Sequence, residues 1–416
     1  MNAQSILYVI LTIVTAEFIL ERVLAYYNAK NWDSKLPQEL QGIYDEEKYQ
    51  KSQEYAAAKE KISWISSSIN FVVSILMLLL GGFGWLESFV SQYTDSVLWS
   101  TLAFFAIIGF VSDIIGTPFE LYSIFVIEEK FGFNKMSLGT YIADKLKGWV
   151  LGAILGGLLL SASIWFYESF REFFWLYAWV IFMVFSLLMM MFYTNLIVPL
   201  FNKLTPLQDG ELRKAIEDYA SKVKFPLKNI MVVDGSKRST KANAYFSGLG
   251  GTKNIVLYDT LIEKHSIPEL VAVLAHEVGH YKKKHTLQAL LVSALTMLFT
   301  LYLLGLVIDS PLLSQALGSE TPKLALGMVA FSILYSPIST ITGLIMNILS
   351  RKNEFEADAY AAQTSSANEL ITALKKLSVD TLSNLKPHPA YVFFYYSHPP
   401  LLQRMSALKE REKKNK

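Results

Sequence analysis

The chain has 416 residues, of which 52% are hydrophobic and 18% charged, with a mean hydropathy of +0.32. An average that high over such a length excludes an ordinary soluble globular protein and requires membrane-spanning segments. The net charge of +2 gives no signature of nucleic-acid binding, and the absence of cysteine excludes disulfides and restricts any zinc site to His, Asp and Glu ligands.

Seven apolar blocks are long enough to cross a bilayer, at about 5–26, 62–85, 98–123, 148–168, 174–198, 286–308 and 324–349. The first reads as a span rather than a cleavable signal, because its start lacks a basic flank and Glu17, Glu21 and Arg22 interrupt its end. Polar residues inside the blocks (Glu17, Asp113, Asn195) either join neighbouring helices or face a water-filled interior. Lysine and arginine crowd the connections after spans one, three, five and seven and are scarce in the others. By the positive-inside rule this puts the N-terminus outside or in the lumen, and segment 200–285 and the C-terminus in the cytosol.

Four stretches are expected: 1–199 with spans one to five, 200–285 as a cytosolic insertion, 286–349 with spans six and seven, and 350–416 as a cytosolic C-terminal segment. Residues 27–61 read as a polar, partly helical loop. In the insertion, Leu212, Ala215, Ile216, Tyr219 and Val223 recur at helical spacing over 209–224. Runs at 230–233, 244–246 and 255–258, punctuated by Gly235, Gly248, Gly250 and Gly251, predict a small hairpin or three-stranded sheet. Ser266-Ile267-Pro268-Glu269 then forms a capping box, opening a helix expected to run to Lys282-Lys283-Lys284 and directly into the next span at about Thr286.

That helix carries His276-Glu277-Val278-Gly279-His280. The pattern H-E-x-x-H sets two imidazoles one turn apart on one face, able to share a zinc ion, with a carboxylate beside them. A hydrolytic zinc needs a third protein ligand and an open position for water. The candidates are His265, His285, His388, His398 or a carboxylate, and Glu354-Phe355-Glu356-Ala357-Asp358 follows span seven on the same side of the membrane. Glu354 and Asp358, four apart, share a helical face, so Glu354 can ligate while Asp358 holds a ligand imidazole; Glu356 is the second choice. Glu277 would act as base, taking a proton from water and delivering it to the leaving amine. His398 and Arg404, at the start of a final helix opened by Pro399 and Pro400, are candidate donors to the developing oxyanion.

Taken in order, these motifs resemble the integral-membrane zinc CAAX prenyl endopeptidases of type I. The resemblance spans Pro118 to Tyr122, Phe125 to Asn134, Asp144 to Gly148, Pro199 to Lys203, Asn243 to Phe246, the zinc motif, Glu354 to Asp358 and Ser397 to Arg404. It implies a mostly α membrane protein whose seven helices enclose a large intramembrane chamber, capped on the cytosolic side by a gluzincin-type domain. It implies one zinc per chain on His276, His280 and Glu354, Glu277 as base, Asp358 in support, and His398 and Arg404 near the reacting carbonyl. It makes Asn243, Ala244, Tyr245 and Phe246 an edge to which substrate adds as a strand. The implied substrate is a prenylated CAAX protein losing its C-terminal aaX tripeptide, at the endoplasmic reticulum membrane of a eukaryote or the inner membrane of a bacterium. The dilysine-like tail Lys413 to Lys416 fits retrieval to the former. Two other functions fit the same residues: quality-control proteolysis of membrane proteins without prenyl specificity, and a non-catalytic seven-span binding or channel protein with a closed structural zinc.

Overall fold

The computed structural model describes residues 2–32, 35–248 and 253–415; Gly250, Gly251 and Lys416 lie outside them. Among the described residues, seven helical segments are long and apolar enough to cross a membrane: Ala3–Lys30, Glu46–Leu79, Val97–Glu128, Leu138–Ser169, Arg171–Phe201, His285–Val307 and Leu324–Thr364. Each apolar block read from the sequence falls on one of them. The helices in chain order are α1 (Ala3–Lys30), α2 (Glu46–Leu79), α3 (Gly82–Ser91), α4 (Val97–Tyr122), α5 (Leu138–Ser169), α6 (Phe174–Phe192) and α7 (Val198–Phe201). Wide π-type turns extend α4 and join α6 to α7. Then come α8 (Glu211–Lys222), α9 (Asp259–Lys264), α10 (Ile267–Lys282), α11 (His285–Val307), α12 (Pro311–Ala316), α13 (Leu324–Thr364), α14 (Ala367–Asp380), α15 (Pro389–Tyr395) and α16 (Leu401–Asn415).

Three expectations are corrected. The second span ends at Leu79 rather than near 85, because Gly81, at φ 65°, turns the chain into the separate helix α3. The polar region 27–61 is mostly helix, since α1 reaches Lys30 and α2 begins at Glu46. There Asp45 caps the helix by accepting from the Lys48 N–H at 2.7 Å, and Glu46 and Glu47 favour its positive end. The described residues of the insertion hold four strands rather than three: β1 (Leu204–Pro206), β2 (Leu227–Val233), β3 (Ala244–Ser247) and β4 (Lys253–Tyr258), in the order β1-β2-β4-β3. β2 and β4 run parallel, with Ile230 opposite Ile255; β1 and β3 flank them antiparallel, with Phe246 opposite Ile255. β3 is therefore an edge, with one side unpaired within the sheet.

The water-facing domain closes over one apolar core. α10 contributes Leu270, Leu274 and Val278, α8 contributes Ile216 and Tyr219, and the sheet contributes Ile230, Ile255 and Leu257; Leu370 of α14 and Met405 and Leu408 of α16 complete it. The stripe predicted for α8 points into this core, as an amphipathic helix must.

Below the domain the spans line neighbouring cavities of about 940, 480 and 530 Å³. The first two share Met346, and the second and third share Ser339 and Gly343, all on α13. From Asn353 to Ser336 the lining descends 17 residues of that helix, about 25 Å at 1.5 Å per residue. Ser293, Thr296, Thr300, Ser336 and Ser339 set hydroxyls into a mostly apolar lining. Glu17 belongs to the interior: it lines the third cavity and accepts from Ser336 Oγ at 2.5 Å. Asp113 instead joins α4 to α5 through Lys145, at 3.0 Å, and Trp149, at 3.1 Å.

Candidate metal centre

α10 opens as its sequence requires. The Ser266 N–H donates to Glu269 Oε2 at 3.1 Å, the reciprocal cap is present, and Pro268 sits in the first turn. Glu269 also accepts from Lys376 at 2.6 Å and faces His265 Nδ1 at 3.1 Å, which ties α10 to α14. Burial pushes the His265 imidazole below its ordinary pKa against the pull of Glu269, so this histidine serves the fold. At the other end α10 does not run on into the membrane. It stops at Lys282, and Lys284, at φ 59°, takes a left-handed step that restarts the chain at His285 in a new direction.

α10 packs against the C-terminal part of α13, which carries Glu354, Glu356 and Asp358. The two helices approach closely because residue 279 is glycine. A Cβ there would lie 2.9 Å from Ala357 Cα and 3.0 Å from its carbonyl oxygen, and neither is a flexible side-chain end that can swing aside. Gly279→Ala is expected to push α10 off α13, lowering stability by about 1–3 kcal/mol and weakening zinc binding by moving both histidines away from Glu354. Thermal unfolding and zinc titration of the detergent-purified protein check this.

The close approach brings three donors together. The ligand atoms of His276, His280 and Glu354 all lie within 4.8 Å of one another. The two Nε2 atoms face each other at 3.2 Å, His276 Nε2 is 3.5 Å from Glu354 Oε2, and His280 Nε2 is 3.3 Å from Glu354 Oε1. Glu354 Oε2 is buried and makes no hydrogen bond, although Arg404 lies within ion-pair distance, so it keeps a lone pair free for a metal. Two imidazoles and one carboxylate, turned toward a common point, suit zinc with one position left for water.

Behind this triad, His276 Nδ1 meets Asp358 Oδ1 at 2.9 Å. Arg404 donates to Asp358 through Nε at 2.8 Å and Nη2 at 2.6 Å, and its Nη1 lies 3.3 Å from Glu354 Oε2. The guanidinium is buried, so the structure holds it against the two carboxylates. His398 differs: its side chain is 65% exposed, and its Nε2 stands 3.3 Å from Glu354 Oε1, beside the metal position. The other third-ligand candidates go elsewhere. His388 caps α15 by accepting from the Ala390 N–H at 3.2 Å, His285 meets His280 edge-on, and Glu356 faces His285.

Glu277 lines the 940 Å³ cavity together with His280 and His285. Burial raises its carboxyl above the ordinary range, with the flanking imidazoles pulling the other way. The lining also includes Asn243, Tyr245, Phe246 and Ser247, so edge strand β3 borders the same space as Glu277. Asn243 turns Oδ1 onto the Ala244 N–H at 2.9 Å, and Ala244 is the first residue of that strand. Gly279 and His285 were not singled out by the sequence for the roles they take. The one available signal for Gly279 was a glycine inside a helix, which marks close packing.

Residues 25–203 match the family described as CAAX prenyl protease N-terminal, five membrane helices, and residues 206–412 match peptidase family M48. The CAAX prenyl protease 1 homolog of Arabidopsis thaliana is 37% identical over 387 residues, covering 91% of each chain. CAAX prenyl protease 1 of Saccharomyces cerevisiae is 34% identical, covering 96% of this chain and 94% of its own. The crystal structure of S. mikatae Ste24p superposes with a TM-score of 0.92 at 34% identity, over 97% of this chain and 99% of that one. A likeness that spans both the membrane helices and the zinc motif excludes a mere binding or channel protein. This chain belongs to peptidase family M48 and is a multi-pass membrane zinc metalloendopeptidase of the CAAX prenyl protease 1 type.

Proposed function

We propose that the chain removes the C-terminal aaX tripeptide from prenylated CAAX proteins at the cytosolic face of the endoplasmic reticulum membrane, with its N-terminus in the lumen. The observation that carries this reading is the shared cavity: Glu277 and edge strand β3 line one intramembrane space of about 940 Å³, roomy enough for a peptide beside an apolar chain. The lysine-rich connections support the orientation.

In this reading His276, His280 and Glu354 hold zinc, which supplies Lewis-acid polarisation of water and of the scissile carbonyl. Substrate adds as a strand beside Ala244, Tyr245 and Phe246, its backbone satisfying the open edge of β3 and the Asn243 amide donating to it. Glu277 takes the proton from the attacking water and passes it to the departing amine nitrogen, while the C–N bond breaks. His398 donates from Nε2 to the oxyanion as it forms. Arg404 and Asp358 keep His276 oriented so that its Nε2 lone pair faces inward.

The test compares a farnesylated Cys-a-a-X peptide with its unprenylated twin. Release of the tripeptide from the farnesylated peptide alone is the expected result. Equal cleavage of both would replace prenyl recognition with broader proteolysis of membrane proteins.

A further inference from the structure

The two imidazole ligands are braced differently. Both turn Nε2 toward Glu354, so each presents Nδ1 to the surrounding protein. For His276 the group behind is Asp358. For His280 it is a third imidazole: His280 Nδ1 lies 3.0 Å from His285 Nδ1, and His285 Nε2 lies 3.3 Å from Glu356 Oε2. His285 is only 5% exposed and is the first residue of α11, placed there by the left-handed step at Lys284.

Two ring nitrogens at hydrogen-bond distance share one proton, and only one order of protons is compatible with a metal on His280. A neutral His280 that offers its Nε2 lone pair carries its proton on Nδ1 and donates it to His285 Nδ1. His285 must then carry its own proton on Nε2, where it points at Glu356, and a carboxylate there only has to accept. In the opposite order, with His285 donating to His280 Nδ1, the His280 proton would sit on Nε2, in the metal position. Glu356 is what selects the productive order. Its neighbour Lys352, 3.9 Å away and one turn back, keeps a positive charge beside it.

We propose that His285 is a positioning residue for zinc ligand His280, and that Glu356 acts through it, so that a His280–His285–Glu356 chain does for the second imidazole what Asp358 and Arg404 do for the first. The inference rests on the zinc ligands assigned above. It gives each acidic residue of 354–358 a separate task at one metal: Glu354 binds, Asp358 orients His276, and Glu356 orients His280 through an intermediary from another helix. Partners of this kind raise the basicity of the ligand and fix its ring, and losing one typically costs about 10–100-fold in metal affinity.

The test measures the zinc dissociation constant of the full-length protein in detergent by competition with a chromophoric chelator, together with the unfolding midpoint of the zinc-free protein. His285→Leu is expected to bind zinc about 10–100-fold more weakly. His285→Asn, whose Oδ1 can replace the ring Nδ1 as acceptor, is expected to recover most of that loss. Glu356→Ala should weaken zinc binding on its own yet add nothing to His285→Leu, because it acts only through that ring. Unchanged affinity in His285→Leu, an asparagine no better than leucine, or additive losses in the double variant would each overturn the proposal. If His285→Leu lowers the zinc-free midpoint, the comparison of Glu356→Ala with His285→Asn, at a half-exposed and a near-isosteric position, decides the matter. His280→Ala is the control for the site itself: unchanged zinc affinity there would reject the ligand assignment rather than the relay.

Discussion

Glu277→Gln is expected to keep its zinc and lose about 10²–10⁴-fold in turnover, the range a positioned general base contributes. Glutamine has the volume of glutamate and hydrogen-bonds with the same reach, so packing of α10 against α13 is preserved. What disappears is the capacity to hold a proton between water and the leaving amine. Glu277 is suited to that task because it lies within electrostatic reach of both imidazoles and opens on the cavity, and because burial raises its carboxyl above the ordinary range. Metal analysis and kcat on the same preparation check the prediction. Normal turnover with zinc bound would assign the base elsewhere.

The second large effect is expected at Arg404. Its guanidinium makes a bidentate pair with Asp358, whose side chain is 2% exposed, and also faces Glu354. Arg404→Leu leaves two buried carboxylates without their common cation. Breaking a buried pair from one side costs about 3–5 kcal/mol, here felt in the zinc-free protein, where imidazoles are the groups left facing Glu354. α16 should loosen from α13, since Arg404 is the polar tie between them. Arg404→Lys, which keeps the charge but not the fork, should fall between leucine and wild type. Unfolding midpoints of the three zinc-free proteins give the order, and equal midpoints would remove Arg404 from this role.

What could be read from the sequence follows the physics of each feature. The seven spans were legible because about 20 apolar residues in succession have few other uses. α8 and the start of α10 were legible from local signals, a stripe of period 3.6 and a capping box. Three features were hidden. β1 is three residues long and ends in Pro206, too short to show alternation. The ends of α2 and α10 turn on single left-handed residues, Gly81 and Lys284, and nothing marks a lysine as left-handed. The groups that brace the zinc ligands pair across long separations, His276 with Arg404 and His285 with Glu356, and only the packing of α10, α11, α13 and α16 brings them together. His276, His280, Glu354 and Asp358 were readable because i, i+4 spacing on a helix is itself a geometry. The expected chamber and the proposed substrate edge at β3 came from the family resemblance, since no periodicity encodes an enclosed space.

The most direct test of the account is a diffraction data set collected at the zinc absorption edge from crystals of the purified protein. One strong anomalous peak per chain is expected, about 2.0–2.2 Å from His276 Nε2, His280 Nε2 and a Glu354 oxygen, with Glu277 beside it and the cavity open in front. A peak at another cluster, such as His265 with Glu269, or a fourth protein ligand closing the position meant for water, would contradict it.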